Sequence, residues 1–259
     1  MDSTVLLEKD NAIAFVTLNN IAKHNAFDDN MIALLTRQFE ALAKCQTTRA
    51  IVLKAAGKHF CAGADLAWMK RMKAYSQAEN QRDSLALAQL LKLIYQHPKP
   101  VIACVQGSAY GGGVGLIAAC DFAVASASST FCFSEVKLGL IPAVISPYVI
   151  KAIGERLTKQ LFLTAETFNA AQAQSHQLIQ VVCQEDSLLA STTQLAKKIT
   201  RNGPNAINAC KQLINDITPI TLNSQLLEHT SERIATLRVS SEGQEGLSAF
   251  FEKRSPNWN

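Results

Sequence analysis

Three segments of this chain carry residues whose types and spacing suit proton chemistry beside a carbonyl group. In the first, from Phe60 to Leu66, small residues at 62–64 let the main chain approach a ligand, and Asp65 could begin a helix. The second is a turn of three glycines, 111–113, whose N–H groups could face a developing negative charge. The third is Glu135, a lone carboxylate that could carry a proton.

Each segment also has a structural interpretation that needs no chemistry. The first could be an ordinary strand-to-helix turn, the glycines could allow close helix–strand packing, and a glutamate at a strand end usually faces solvent. The combination favours chemistry, because two N–H donors would hold an enolate oxygen while one carboxyl group moves a proton at the neighbouring carbon. An apolar setting would also raise the pKa of Glu135, and the sequence surrounds it with Phe131, Phe133, Val136, Leu138, Leu140 and Ile141.

The elements that must position these residues alternate between strands and helices. Apolar runs closed by turn residues predict strands at 12–18, 50–55, 101–105 and 121–125, with helices after Asp28, at about 78–95 and through Ala119. Such alternation is typical of the α/β class with largely buried strands.

The composition of the chain changes near residue 187. We predict an α/β core over 1–186 and a helical C-terminal region over 187–259. The helices of this second region are predicted near 187–201, 204–217, 223–239 and 243–253.

Composition excludes several classes of function. Of the 259 residues, 48% are apolar and 18% charged, which favours a large folded core, and a net charge of +4 is too mild to indicate nucleic-acid binding. The seven cysteines form no Cys-x-x-Cys pair, and the five histidines are scattered, so we expect no metal site. Without a signal-peptide pattern or an uninterrupted apolar run of membrane length, we expect a soluble cytoplasmic protein that binds no membrane.

Four motifs occur in order over nearly the whole chain. They are Lys23-His24-Asn25-Ala26, Phe60 to Leu66, Gly107 to Asp121, and Glu245 to Trp258. Together they resemble the enoyl-CoA hydratase/isomerase (crotonase) superfamily. The resemblance implies a spiral of repeated strand–strand–helix units and a helical C-terminal part that forms a homotrimer or a dimer of trimers. It also implies acyl-CoA substrates, with coenzyme A as part of the substrate and no separate cofactor or metal.

The resemblance also implies roles for individual residues. The N–H groups of Ala64 and Gly112 would form the oxyanion hole for the thioester carbonyl, and Glu135 would move the proton. Contacts to the CoA thioester would come from Lys23, His24, Ala62, Ala64, Asp65, Leu66, Gly112, Gly115, Pro142, Phe250 and Lys253.

Gly115 stands where the two-glutamate hydratases of the family have a second carboxylate. We expect this glycine to free space beside the acyl chain, which would suit a branched or carboxylated acyl group. The run from Ser134 to Tyr148 is most similar to bacterial methylglutaconyl-CoA hydratases. The leading hypothesis is therefore hydration of a 2-enoyl-CoA such as 3-methylglutaconyl-CoA.

Three other functions fit the same residues. A Δ3,Δ2-enoyl-CoA isomerase needs only one base, and an acyl-CoA decarboxylase needs mainly the oxyanion hole. A protein that binds acyl-CoA without catalysis would be a function of another class. Fold alone does not separate these alternatives, because function lies in the site.

Overall fold

The strands of this computed structural model, which describes residues 3–218 and 220–258, form two sheets. They are β1 (Val5–Asp10), β2 (Ile13–Leu18), β3 (Ala50–Ala55), β4 (Val101–Val105), β5 (Ser108–Tyr110), β6 (Phe122–Ser126), β7 (Thr130–Cys132), β8 (Phe168–Asn169) and β9 (Val181–Cys183). The main sheet has the order β1-β2-β3-β4-β6-β9, and the second sheet has the order β5-β7-β8. In the main sheet β1 and β2 pair antiparallel, whereas the other neighbours pair parallel.

Helices connect and cover these strands. They are α1 (Asp29–Lys44), α2 (Leu66–Met72), α3 (Gln77–Tyr95), α4 (Gly112–Ala119), α5 (Ser146–Ile153), α6 (Glu155–Thr164), α7 (Ala170–Ser175), α8 (Leu188–Thr200), α9 (Pro204–Ile217), α10 (Ser224–Val239) and α11 (Ser241–Phe251). Short 3-10 turns lie at Ile21–Lys23, Glu135–Leu138 and Glu185–Ser187. The predicted α/β class and helical C-terminal region are confirmed, with the predicted elements within two residues of the observed bounds.

A strand–strand–helix unit recurs through the core. β4 of the main sheet leads to β5 of the second sheet and then to α4, and β6, β7 and α5 follow in the same order. After β3, Cys61 forms an isolated parallel bridge with Ala109, and α2 follows. The turns after β3 and β4, at the carboxyl ends of neighbouring parallel strands, therefore lie side by side.

Caps and prolines explain why the helices begin and end where they do. The Asp28 side chain accepts the N–H of Met31, which caps α1 as predicted. The helix then buries one face, formed by Met31, Ile32, Leu35, Phe39 and Leu42. Helix α3 ends at Tyr95, shortly before Pro98 and Pro100. Each proline disfavours a helical backbone in the residue that precedes it.

The C-terminal helices differ in what they cover. Helix α8 packs on the main sheet, whereas α9, α10 and α11 pack on one another. Large apolar side chains stay exposed there, among them Leu222, Val239, Phe250 and Phe251. The boundary at residue 187 stays a prediction, and Pro219 and Asn259 lie outside the described residues. Among the described helices, none combines the length and apolar character that crossing a membrane requires.

Candidate active site

The segment that follows β3 is held by Asp65. Its carboxylate accepts the N–H groups of Ala67 (2.9 Å) and Trp68 (3.0 Å), so α2 begins where the sequence predicted. The same carboxylate forms an ion pair with Lys23, with 2.9 Å between Nζ and Oδ2. The Lys23 ammonium, followed by the capping N–H groups and opposed by burial, keeps the pKa of Asp65 below its ordinary value.

The main chain of Phe27 brackets Ala64. Phe27 donates its N–H to the carbonyl of Gly63 (2.9 Å), and its own carbonyl accepts the N–H of Asp65 (3.0 Å). Phe27 and Ala64 thus form an isolated parallel bridge, in which the N–H of Ala64 points away from Phe27. Among the residues that the structure describes, this N–H has no acceptor, so it is free to bind a ligand.

The glycine turn is fixed against the first segment by main-chain hydrogen bonds. Tyr110 donates its N–H to the carbonyl of Cys61 (2.9 Å), and Cys61 donates to Ser108 (3.2 Å). Gly112 is the first residue of α4, and its N–H likewise has no acceptor within 3–218 or 220–258. Two free N–H groups therefore lie on adjacent, hydrogen-bonded segments, one of them at the positive end of a helix.

The carboxylate of Glu135 reaches the same turn. Gly111 donates its N–H to the carbonyl of Cys132 (2.8 Å), which joins the end of β7 to the start of α4. A Cβ atom placed on Gly111, where φ is +51°, would lie 2.9 Å from Oε1 of Glu135. Oε2 is buried and has no hydrogen-bond partner among the described residues. Burial raises the pKa of Glu135, as the sequence predicted.

The apolar setting of Glu135 is only partly as predicted. Phe131 and Phe133 are fully buried, but three of the predicted apolar neighbours lie on the surface of the single chain. Their exposed fractions are 62% for Leu138, 55% for Leu140 and 74% for Ile141. The difference arises because a 3-10 turn at Glu135–Leu138 directs the chain outward after β7.

The expectation that Gly115 frees space is wrong for this chain. A Cβ atom on Gly115 would overlap Cγ2 of Ile145 and lie 2.7 Å from its Cβ. The Ile145 side chain is 2% exposed, so it fills this position. The glycine therefore allows the close approach of an isoleucine that lies thirty residues later in the sequence.

The other predicted contact residues fall into two groups. Beside Ala64, Ala62 donates its N–H to the carbonyl of His24 (3.0 Å), and His24, Ala62 and Leu66 are exposed. Pro142 is buried, and its carbonyl accepts the N–H of Ser146 (3.1 Å) at the start of α5. Phe250 and Lys253 lie at the end of α11, and no hydrogen bond or ion pair of the described residues joins them to the turns after β3 and β4. Within a single chain, main-chain hydrogen bonds and the ion pair thus join Lys23, His24, Ala62 and Asp65 around the first N–H segment.

Sequence reasoning missed Phe27 and Ile145. A Cβ atom on Gly112 would overlap Cζ of Phe27 and lie 3.0 Å from its Cε1, so the ring covers this glycine. Phe27 directly follows the Lys23-to-Ala26 motif, which was the available signal. Ile145 gave no signal, because its partner Gly115 is remote in sequence.

Two further features of the structure concern ligands. A cavity of about 620 Å³ lies at the start of β6, away from Ala64, Gly112 and Glu135, and its polar lining includes Asp121, Lys151 and Lys211. No part of the chain that the structure describes groups three or more histidine, cysteine, aspartate or glutamate side chains as a metal site would. We place the candidate site by its chemistry, because this cavity holds neither the free N–H donors nor Glu135.

Known proteins are similar to this chain over nearly its whole length. The model of the family "Enoyl-CoA hydratase/isomerase" matches residues 8–259. A solved enoyl-CoA hydratase of Shewanella pealeana ATCC 700345 is 42% identical, with a TM-score of 0.96 over 99% of this chain and 96% of that chain. The 2,3-dehydroadipyl-CoA hydratase of Escherichia coli (strain K12) is 30% identical over 99% of this chain and 98% of its own length. The short-chain-enoyl-CoA hydratase of Clostridium acetobutylicum is 29% identical over 97% and 96%. This chain therefore belongs to the enoyl-CoA hydratase/isomerase (crotonase) family and is an enzyme of the hydratase/isomerase class.

Proposed function

We propose that this enzyme hydrates a 2-enoyl-CoA thioester whose acyl group is short and carries a carboxylate, such as 3-methylglutaconyl-CoA. One observation carries the proposal: among the described residues, the main-chain N–H groups of Ala64 and Gly112 have no acceptor, and they lie on adjoining segments beside the half-buried carboxylate of Glu135. The donors suit the thioester oxygen, and the carboxylate suits a proton transfer at the neighbouring carbon.

The proposed reaction uses these groups as follows. The oxygen of water bonds to C3 of the enoyl group, and the electrons of the double bond move onto the thioester oxygen. The N–H groups of Ala64 and Gly112 stabilise this enolate oxygen, at about 2.7–4 kcal/mol for one such donor. Glu135 takes a proton from the water and gives a proton to C2, which restores the carbonyl and leaves the carboxylate unchanged.

The pKa of Glu135 supports this double role. A carboxyl group must accept and later donate a proton, and it does so best when its pKa approaches the working pH. Burial shifts the Glu135 pKa in that direction. Because Ile145 occupies the space beside Gly115, we propose that Glu135 itself, or the carboxylate of the substrate, activates the water.

The acyl group is inferred from a relative and from the site. A relative at 30% identity is a hydratase of 2,3-dehydroadipyl-CoA, which is itself a carboxylated thioester. A site with one carboxylate also repels an acidic acyl group less than a site with two would. Coenzyme A enters as part of the substrate, and we propose no further cofactor.

The proposed contacts to coenzyme A extend beyond one chain. Lys23 and His24 are exposed beside the first N–H segment, where they could meet the nucleotide. Phe250 and Lys253 would complete the contact from a neighbouring copy in a trimer or a dimer of trimers. The exposed apolar side chains of α10 and α11 support such an assembly.

Isomerisation is a second candidate that one observation favours. The Glu135 carboxylate lies against Gly111, directly before α4, and a Δ3,Δ2-isomerase needs only one base. That base would remove a proton from C2 and deliver a proton to C4 while the same two N–H groups hold the dienolate.

A panel of thioesters tests both functions. The purified enzyme is given 3-methylglutaconyl-CoA, 2,3-dehydroadipyl-CoA, crotonyl-CoA and a 3-enoyl-CoA in separate reactions, and kcat/KM and product masses are measured. We expect addition of one water and the highest kcat/KM for a carboxylated substrate. Turnover of the 3-enoyl-CoA alone, without added water, would favour the isomerase, and equal kcat/KM for all 2-enoyl thioesters would contradict the acyl assignment.

A further inference from the structure

The close contact between Gly115 and Ile145 limits the side chain that either position can hold. A Cβ atom on Gly115 would lie 2.7 Å from Cβ of Ile145 and closer still to Cγ2, whereas carbon atoms in contact normally lie about 3.5–4.0 Å apart. Ile145 is 2% exposed and immediately precedes α5, which packs on α4. Even an alanine at position 115 therefore requires Ile145 to move.

This contact lies one helical turn from the proposed acid/base group. Gly115 donates its N–H to the carbonyl of Gly111 (3.2 Å), and the Glu135 carboxylate lies over Gly111. Position 115 therefore lies on the same face of α4 as Gly111, and we call this face, which faces the Glu135 carboxylate, the α4 wall of the site. Ile145 supplies the side-chain volume of this wall and makes it apolar.

We propose that Ile145 is a specificity-determining residue of the enzyme. Its β-branched side chain takes the volume that any side chain at position 115 would need, so it keeps the wall beside Glu135 apolar and without a second ionisable group. This inference rests on the proposed function. It predicts that Ile145, rather than an open space at Gly115, limits the acyl group and the acid/base chemistry.

Thermal unfolding tests the steric part of the proposal. We expect Gly115→Ala to lower Tm, and the double variant Gly115→Ala with Ile145→Gly to lose less than the sum of the two single losses. The matched control is Ile150→Gly, since Ile150 lies on α5, which Ile145 directly precedes, but is 42% exposed. Combined with Gly115→Ala it should give additive losses. A Gly115→Ala enzyme with the Tm of the wild type would overturn the proposal.

Kinetics test the specificity part. Ile145→Val keeps the Cγ2 atom that faces Gly115, whereas Ile145→Ala removes it. We expect Ile145→Ala, but not Ile145→Val, to raise kcat/KM for 2-hexenoyl-CoA relative to crotonyl-CoA by about 10-fold, the usual effect of a methylene-sized change in a pocket. An unchanged ratio in Ile145→Ala would show that Ile145 does not limit the acyl group.

A second carboxylate provides an independent measurement. In the double variant Gly115→Glu with Ile145→Gly, we expect hydration of crotonyl-CoA to rise at least 10-fold over Ile145→Gly alone, with a second ionisation in the pH profile. A folded double variant without either change would overturn the proposal. A wild-type enzyme that hydrates no thioester would instead contradict the proposed function. The Tm measurements would still test whether Ile145 occupies the space beside Gly115.

Discussion

The ring of Phe27 lies against the main chain of Gly112 so closely that position 112 has no room for a side chain. The main chain of the same residue brackets Ala64 through hydrogen bonds to Gly63 and Asp65. One buried residue, 3% exposed, thus contacts both segments that carry the proposed N–H donors. We infer that Phe27 fixes the spacing between the N–H groups of Ala64 and Gly112.

Removing the Phe27 ring should lower kcat/KM by more than the accompanying loss of folding stability can explain. In Phe27→Leu, we expect kcat/KM to fall by about 10²–10³, the cost of losing one oxyanion donor, because the Gly112 segment loses its support. The control is Phe39→Leu, which alters another fully buried ring, on α1 and against the ring of His97. Both variants should lose similar stability in urea, and an equal loss of kcat/KM would contradict the role of Phe27.

Glu135→Gln should stabilise the enzyme while it lowers turnover. We expect kcat to fall by about 10²–10⁴, the usual contribution of a positioned acid/base group, with thioester binding retained. Glu135 is half-buried and its Oε2 has no hydrogen-bond partner in the described part of the chain, so its raised pKa means that folding is most favourable when Glu135 is protonated. This advantage is present below about pH 4 and is lost as the pH rises through the folded-state pKa.

Tm measured against pH checks this prediction. The Glu135→Gln enzyme should have the higher Tm near pH 7, and the difference should disappear near pH 4. Glu185→Gln is a matched control, because Glu185 also begins a 3-10 turn but is exposed. A Glu135→Gln enzyme with undiminished kcat would show that Glu135 is not the proton carrier.

Asp65 should stabilise the first N–H segment mainly as a helix cap. Asp65→Ala removes the acceptor for the N–H groups of Ala67 and Trp68, at a cost of about 1 kcal/mol, whereas Asp65→Asn keeps an acceptor. The Lys23 side chain is 47% exposed, so the ion pair should contribute less to stability than the cap does. A double-mutant cycle with Lys23→Met in urea measures this coupling, and a coupling larger than the difference in stability between Asp65→Ala and Asp65→Asn would contradict the ranking.

His97 should make the fold sensitive to acid. Its ring is 1% exposed, with Nδ1 accepting the N–H of Lys99 (3.1 Å) and Nε2 lying 3.1 Å from the carbonyl of Phe39. Burial lowers the pKa of His97 to about 4. Between about pH 6.5 and 4, His97 is therefore protonated in the unfolded chain but neutral in the folded chain. Stability should therefore fall as the pH drops from about 6.5 to 4, by roughly 3 kcal/mol at most.

Replacement of His97 by glutamine isolates this effect. Gln has no titratable group but can still donate to the carbonyl of Phe39. The free energy of unfolding, measured between pH 4 and 7, should change less with pH in His97→Gln than in the wild type. Parallel curves for the two proteins would show that His97 is not the group that titrates.

The sequence predicted those parts of the fold that depend on local pattern. β3 and β4 have the predicted bounds because each is a short, largely apolar run, interrupted in β3 only by Lys54, and is closed by turn residues. β1 was missed because only Val5 of its six residues is buried, which leaves no alternation to detect. β5 and β7 have three residues each, and their pairing depends on a partner more than twenty residues away.

The candidate site shows the same division. Asp65 as a cap and the raised pKa of Glu135 follow from neighbouring residues, and both were predicted. The contacts of Gly115 with Ile145 and of Gly112 with Phe27 join remote parts of the chain, so no local pattern could predict them. A glycine indicates that something approaches closely, but only the fold shows what that is.

The two free N–H groups have a consequence for amide hydrogen exchange. Cys61, Tyr110 and Gly111 donate to main-chain carbonyls and should exchange slowly with deuterated solvent, whereas Ala64 and Gly112 donate to no group among the described residues and should exchange quickly. We therefore expect two rapidly exchanging amides among neighbours that exchange slowly. Protection of this pair when a thioester analogue binds would report directly where the carbonyl oxygen rests, without any turnover.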